Sequence, residues 1–125
     1  MLFFILSAFL LASAGKCGKA KNPADCYKGR LEKKGICMNY TISVIEGSID
    51  TSMVENSWTD PNTGTRYARA FRLGSVCSFP QTINEGDEFY FTIDKNPEKD
   101  CAVCQAYYPT PSKTIFIRVL NEACR

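Results

Sequence analysis

Histidine is absent from this 125-residue chain, and tryptophan occurs only once. The lack of histidine excludes Ser-His-Asp and Cys-His catalysis, HExxH zinc sites and histidine general acid–base chemistry. The glycine patterns GxxxxGK[ST] and GxGxxG, which cradle phosphate groups, are absent too. The sequence therefore predicts a protein that is not an enzyme, with no cofactor and no metal-ligand set.

Long apolar runs are absent beyond residue 14. Residues 1–14 are almost wholly apolar and end on the small residues Ala12, Ser13 and Ala14. This pattern is typical of a secretory signal peptide, and it is too short to cross a hydrocarbon layer of roughly 30 Å. We expect residues 1–14 to be a signal peptide and residues 15–125 to form a single domain. The protein is expected to be secreted and extracellular, with no membrane span.

The chain has only a small excess of positive charge, with a formal net charge of +2. This small excess gives no argument for nucleic-acid binding. The positive charge is nevertheless concentrated between Lys16 and Lys34, where basic residues outnumber acidic ones. Such a segment is usually a solvated surface, and the alternative is a patch that contacts a glycosaminoglycan or another anionic surface.

Cysteine is plentiful, and the count of seven is odd. At most three disulfides can form within the chain, so one cysteine stays free or links two copies into a disulfide-bonded dimer. Each bridge is expected to contribute about 2–4 kcal/mol in an oxidising compartment. The candidates are Cys17, Cys26, Cys37, Cys77, Cys101, Cys104 and Cys124. Their separation into early and late groups predicts that the N-terminal segment is stapled onto the C-terminal half.

Cys101 and Cys104 form a CxxC pair. In other settings this spacing belongs to redox pairs or to one half of a zinc site. Here the neighbouring residues are typical of strands and the other cysteines are scattered, so we expect the two to lie in separate structural bridges. The acidic stretch 85–88 is interpreted as a polar turn before a strand.

The remaining patterns predict a mainly β protein. Asn22-Pro23 and Gly35 predict a short helix over residues 23–34. Period-two alternation predicts strands over 38–44, 89–93 and 115–119, with 49–54 as the hairpin partner of the first. Residues 67–73, with arginines on both faces, and residues 102–108 are interpreted as further strands. Five or six short strands at this spacing predict a small barrel or sandwich.

Asn39 begins an N-x-T sequon, the only one in the chain. If the strand over 38–44 is correct, the Asn39 side chain points away from the core. Attachment of a glycan there is then sterically allowed.

Three aromatic residues are candidate partner-binding positions. Trp58 stands just before a turn-forming stretch, where it either covers the core or anchors a partner. Tyr107 and Tyr108 precede a proline-containing stretch, which is either a turn with local packing or a second contact site.

The stretch from Cys77 to Phe91 carries a family resemblance. A cysteine, an apolar residue at Ile83, then Gly86 and an aromatic strand follow in order. This order resembles the signature of netrin-like modules, which include the N-terminal domain of tissue inhibitors of metalloproteinases. The early and late cysteines resemble the same layout, and the small size resembles netrin-like proteins that parasitic nematodes secrete.

The resemblance implies an OB-like five-stranded barrel with short flanking helices, held by disulfides. The disulfides that it implies are Cys17–Cys77, Cys26–Cys124 and a bond from Cys37 to Cys101 or Cys104. It implies a secreted binding module that contacts an extracellular protein, including host proteins if the source is a parasite. The alternative that it implies is a metalloproteinase inhibitor, in which the amine and carbonyl of an N-terminal cysteine chelate the protease zinc.

We predict that the secreted protein begins at Gly15 or Lys16, because Lys16 is a poor residue for signal peptidase to cut behind. Such a start would hold the amine away from the metal and block zinc chelation by Cys17. Intact mass and N-terminal sequencing of the secreted protein, before and after reduction, check this. A start at Cys17 would contradict the prediction and revive the inhibitor mechanism.

Overall fold

A seven-stranded sheet forms most of the computed structural model, which describes residues 25–98 and 101–124. The strands are β1 (Cys26–Lys34), β2 (Tyr40–Glu46), β3 (Glu55–Thr59), β4 (Arg66–Leu73), β5 (Glu88–Ile93), β6 (Thr114–Ile115) and β7 (Ile117–Leu120). Among the described residues, the helical segments are two short 3-10 turns, Ile36–Met38 and Thr51–Met53. The prediction of a mainly β fold is confirmed, and the predicted signal peptide and Cys17 lie outside the described residues.

The hydrogen-bonded order of the strands is β3-β4-β2-β1-β5-β7. Neighbours along this path are antiparallel, while β6 lies off the path and pairs with β4 in parallel. The chain changes partner at Phe116, since residues before it pair with β4 and residues after it pair with β5. No single ladder runs along this segment, so the sheet is not closed into the predicted barrel.

The prediction of a helix over 23–34 is wrong in the described part, where Cys26–Lys34 forms the central strand β1. Tyr27, Gly29 and Leu31 are buried, and the charged residues between them are only partly buried. This alternation is the period of a strand. Glycine suits position 29 because the packed rings leave little room for a side chain: an added Cβ would lie 3.0 Å from Phe91 Cε1.

Two further predicted strands are absent from the structure. Ile49 and Val54 are buried, but a 3-10 turn separates them, and Asp50 caps this turn by accepting a hydrogen bond from the Ser52 amide at 2.9 Å. Such local side-chain bonds compete with strand pairing. Residues 102–108 have strand-like composition but no strand assignment. The sequence analysis also missed β3, whose residues 55–59 are mostly polar.

The core lies on one face of the curved sheet and is rich in aromatic rings. Phe91 is fully buried, with ring centroids 5.4 Å from Tyr27, 5.8 Å from Phe71 and 6.0 Å from Phe89. The buried cluster comprises Tyr27, Leu31, Tyr40, Ile42, Val44, Ile49, Val54, Phe71, Leu73, Phe79, Phe89, Phe91, Ile115 and Ile117. Every strand except β3 supplies at least one of these side chains, so burial of this cluster holds the sheet in its curved form.

The described residues contain three disulfides, and two of them join early cysteines to late ones, as the cysteine pattern predicted. The three disulfides are Cys26–Cys124, Cys37–Cys104 and Cys77–Cys101. The Cys26–Cys124 bond agrees with the pairing implied by the family resemblance. Of the two partners implied for Cys37, the structure shows Cys104. The implied Cys17–Cys77 bond is wrong, because Cys77 pairs with Cys101.

We predict that Phe91→Ala lowers the free energy of unfolding by about 3–5 kcal/mol, because it leaves a cavity among the surrounding rings. Chemical denaturation of the oxidised protein checks this. Thr59→Ala, at an exposed position on β3, is the control and should change stability by less than about 0.5 kcal/mol. Equal effects of the two substitutions would contradict this description of the core.

Candidate functional site

The turn Ile36–Met38, between β1 and β2, begins the candidate site. Cys37 and Met38 both adopt positive φ angles, 55° and 60°. Non-glycine residues in this left-handed region each cost of order 1 kcal/mol, so the surrounding structure must hold them there. The Gly35 amide donates to the Asn39 carbonyl at 3.2 Å, and the Cys37–Cys104 disulfide ties the turn to a distant part of the chain.

That distant part is residues 101–110, which contain no strand, turn or bend. The chain here therefore follows an extended course without a sharp change of direction. Within the described part of the chain, no backbone–backbone hydrogen bond outside the strands involves these residues. Residues 101–107 are all exposed. The segment therefore lies at the surface without a pairing strand in the described structure.

Asn39 clamps this segment to the turn. Its Nδ2 donates to the Ile36 carbonyl at 2.8 Å and to the Ala106 carbonyl at 2.9 Å, and the residue is only 8% exposed. The side chain thus lies between the two loops and does not project freely into solvent. A glycan on Nδ2 would replace one of the two donated hydrogens, and glycosylation of this sequon stays a prediction.

The C-terminal end of the extended segment is anchored by packing and hydrogen bonds. The Tyr108 ring lies against Gly35, where an added Cβ would be 2.5 Å from Tyr108 Cδ1. Pro111 is fully buried. The Ser112 amide and hydroxyl both donate to Glu55 Oε1, at 2.6 Å and 2.5 Å. The segment is therefore fixed on both sides of residues 105–107.

Exposed apolar side chains gather on these two loops. Among the described residues, the large hydrophobic side chains that are exposed are Ile36 (60%), Val103 (36%) and Tyr107 (83%). Ile36 and Val103 each adjoin a cysteine of the Cys37–Cys104 disulfide in the sequence. We call residues 36–38 and 103–107 the bridged loop surface. Single exposed apolar residues are common, but their collection around one covalent bridge is typical of an interaction surface.

The three aromatic candidates have different environments. Tyr107 projects from the bridged loop surface, while Tyr108 packs beneath it on Gly35. Trp58 is 9% exposed and stacks on Tyr67, with ring centroids 6.0 Å apart. Its burial favours the core-covering interpretation over the anchor, whereas the exposure of Tyr107 favours partner contact.

An ion pair between Lys33 of β1 and Asp60, the residue after β3, is partly buried. Asp60 is fully buried, and its Oδ2 lies 3.6 Å from Lys33 Nζ. Its Oδ1 accepts a hydrogen bond from the Asn62 amide at 2.8 Å. Burial by itself lowers the pKa of Lys33, but the neighbouring Tyr67 and Asp60 raise it, and the net result is a raised pKa. Lys33 therefore stays charged at neutral pH and compensates the buried carboxylate.

The other cations of β1 are already engaged. Lys28 and Arg30 both lie within 4 Å of Glu88 carboxylate oxygens, and the Lys34 ammonium donates to the carbonyls of Gln81 and Ile83. Neighbouring acids, chiefly Glu88, raise the pKa of Lys28. Within the described residues, β1 thus offers few unpaired cations to a polysaccharide. The predicted glycosaminoglycan contact depends on residues 16–24, which lie outside the described part.

A cleft of about 490 Å³ lies beside the Cys77–Cys101 disulfide. Asp94, Glu98 and Arg118 supply its charges. Arg118 Nη2 lies 3.8 Å from Asp94 Oδ1, which also accepts a hydrogen bond from the Asn96 amide at 3.0 Å. The Asp94 carboxylate is therefore already satisfied by the protein.

The described cysteines of this region are all in disulfides. Cys101 and Cys104 lie in two different bridges, as expected for structural cysteines. In the part of the chain that the structure describes, no group of three His, Cys, Asp or Glu residues is placed to hold a metal ion. Sequence reasoning missed Ile36, Val103 and the clamp at Asn39. The signals that did point to this region were Cys37, the CxxC, the Asn39 sequon and the two adjacent tyrosines.

We predict that Asn39→Ala lowers the free energy of unfolding by about 1–3 kcal/mol, because the Ile36 and Ala106 carbonyls lose their donor. It should also loosen residues 105–107, which NMR order parameters on the ¹⁵N-labelled protein measure. Gln105→Ala removes an exposed amide from the same segment and serves as the control. An Asn39→Ala protein with unchanged stability and loop order would show that the clamp has no structural role.

Comparison of the chain with protein-family models, with curated proteins and with solved structures found no match. The resemblance to netrin-like modules therefore depends on the residues quoted from the sequence alone. The geometry of the bridged loop surface is therefore the main structural indication of function.

Proposed function

We propose that the protein is a secreted, non-enzymatic binding module that acts by contact with an extracellular protein. The contact surface is the bridged loop surface around Cys37 and Cys104. One observation carries this proposal: the exposed large hydrophobic side chains of the described residues, Ile36, Val103 and Tyr107, all lie on this surface. Aromatic anchors in rigid surroundings supply a large share of binding energy at protein interfaces.

The disulfides support the extracellular part of the proposal. Three of them join the described cysteines, and such bonds persist in oxidising compartments. No helix among the described residues is long and apolar enough to cross a membrane. The apolar residues 1–14 support export through a signal peptide.

The connectivity of the sheet supports a netrin-like, OB-like architecture. Strands β1, β2 and β4 form an antiparallel meander, and β5 pairs with the other edge of β1. Residues 114–120 then pair antiparallel with β5 and parallel with β4. An OB-like fold is a partly open five-stranded barrel, and this order is compatible with it if β3 is an added strand. The Cys26–Cys124 disulfide adds to this support.

Metalloproteinase inhibition of the tissue-inhibitor type is the second candidate, with less support. It needs a mature N-terminus at Cys17, held close to the barrel by a bond to Cys77. Cys77 is instead bonded to Cys101. The two candidates differ in which residue they require, Cys17 or Tyr107.

We predict that Tyr107→Ala weakens binding to the extracellular partner at least about 10-fold, because a Tyr anchor of this kind contributes 1.4 kcal/mol or more. A panel of immobilised extracellular domains, screened with the oxidised protein at about micromolar concentration, identifies the partner, and titration compares the variants. Tyr90→Ala on β5 alters another tyrosine and is the matched control. Absence of any partner, or equal losses for both variants, would contradict the proposal.

A further inference from the structure

We propose that the bridged loop surface is a substrate-like inhibitory loop for a serine endopeptidase of chymotrypsin type, with Tyr107 entering the pocket that accepts aromatic side chains. This inference depends on the proposed function and names the class of its partner. It assigns the Tyr107–Tyr108 peptide bond to the position of the bond that the enzyme would cut. Four features of the segment support this assignment, and each is one step of the inference.

The first step is the shape of the backbone. Peptides bind extended along the active site of such enzymes and pair their main chain with the edge of an enzyme strand. Residues 101–110 have this form: they contain no turn or bend, and the described structure gives them no backbone partner outside the strands, although the Ala106 carbonyl accepts a hydrogen bond from Asn39. Residues 101–107 are exposed, so an enzyme can approach this part of the segment without displacing another part of the described structure.

The second step is the side chain that projects. Tyr107 is 83% exposed, while the next residue, Tyr108, packs on Gly35. Enzymes of chymotrypsin type carry a hydrophobic slot for the residue before the cut bond, whereas trypsin-type enzymes carry an acidic one. Residues 101–108 contain no charged residue. The segment therefore suits the hydrophobic slot, and it offers no cation to an acidic pocket.

The third step is preorganisation. A flexible peptide loses conformational freedom when it binds, and a loop already held in its bound shape avoids most of that cost. Here the residue before Tyr107 is held by the hydrogen bond from Asn39 Nδ2 to the Ala106 carbonyl, at 2.9 Å. Three residues before Tyr107, the Cys37–Cys104 disulfide fixes the chain to the turn. The loop thus has the rigidity that tight inhibition requires.

The fourth step is the reason why the loop would inhibit the enzyme and not simply be cut as a substrate. Hydrolysis adds water across the Tyr107–Tyr108 bond, which gives a carboxylate on Tyr107 and an amine on Tyr108. On the amine side, Tyr108 packs on Gly35, Pro111 is buried, and the Cys26–Cys124 disulfide retains the C-terminal fragment. The new ends would therefore stay in place, so release of product is disfavoured and the bond can form again.

The experiment titrates α-chymotrypsin with the oxidised secreted protein and measures the remaining hydrolysis of a small chromogenic substrate. We expect inhibition with a dissociation constant of about 1 µM or tighter, and no comparable inhibition of trypsin. Tyr107→Gly should weaken the inhibition about 100-fold. Tyr107→Lys should transfer the inhibition from chymotrypsin to trypsin, because lysine suits the acidic pocket. Both substitutions lie at an exposed position, and circular dichroism with disulfide mapping verifies the fold.

Mass spectrometry after long incubation with the enzyme tests the fourth step. The Tyr107–Tyr108 bond should be cut slowly in the wild type and faster in Asn39→Ala, whose loop lacks the clamp. Rapid and complete cleavage of the wild-type protein would overturn the proposal, since it would make the loop a substrate. Absence of inhibition of chymotrypsin by the wild type and of trypsin by Tyr107→Lys would overturn it as well.

These failures are distinguishable from failure of the proposed function. If neither protease is inhibited but Tyr107→Ala still weakens binding to another extracellular domain, the bridged loop surface binds a partner of a different class. If Tyr107→Ala changes no binding at all, both proposals are wrong. Inhibition of chymotrypsin that Tyr107→Gly leaves unchanged would place the contact on another surface and would also overturn this inference.

Discussion

Strand β1 is the constraint on which the rest of the structure depends. It pairs with β2 on one edge and with β5 on the other, and its first residue is bonded to Cys124. Its inward side chains supply Tyr27 and Leu31 to the core. At its C-terminal end the chain enters the left-handed turn that carries Cys37. The position of β1 therefore fixes both the curvature of the sheet and the place where the bridged loop surface begins.

The bridged loop surface depends on different forces from those that hold the sheet. The sheet is stabilised by ladder hydrogen bonds and by burial of aromatic rings, whereas residues 101–107 have neither. Covalent bonds at Cys101 and Cys104, one clamp from Asn39 and the packing of Tyr108 take their place. Few of these contacts involve the exposed side chains themselves. Residue 107 is thereby insulated from the core, and its chemistry contributes little to folding.

Much of the sheet could be predicted from the sequence, because β2, β4, β5 and the segment 114–120 alternate with a period of two. The same period is present in β1, but Asn22-Pro23 and Gly35 resemble the signals that begin and end a helix. These local preferences are weaker than the pairing of β1 with two neighbouring strands. For residues 102–108 the error was the opposite one, since a strand was predicted and none formed. Their composition suits a strand, yet a strand needs a neighbour, and sequence composition does not report which edge is available. Disulfide pairing could not be deduced from spacing for the same reason, since it depends on tertiary positions.

The shape of the loop depends on the disulfides at Cys101 and Cys104, and therefore on whether the chain folds in an oxidising compartment. In a reducing cytosol the apolar core would still favour the sheet, but residues 101–107 would have no covalent attachment and no ladder to define them. A preparation made there can show the spectrum of a folded β protein and still lack its contact surface. Oxidative folding is therefore required to complete the bridged loop surface, the contact surface proposed above.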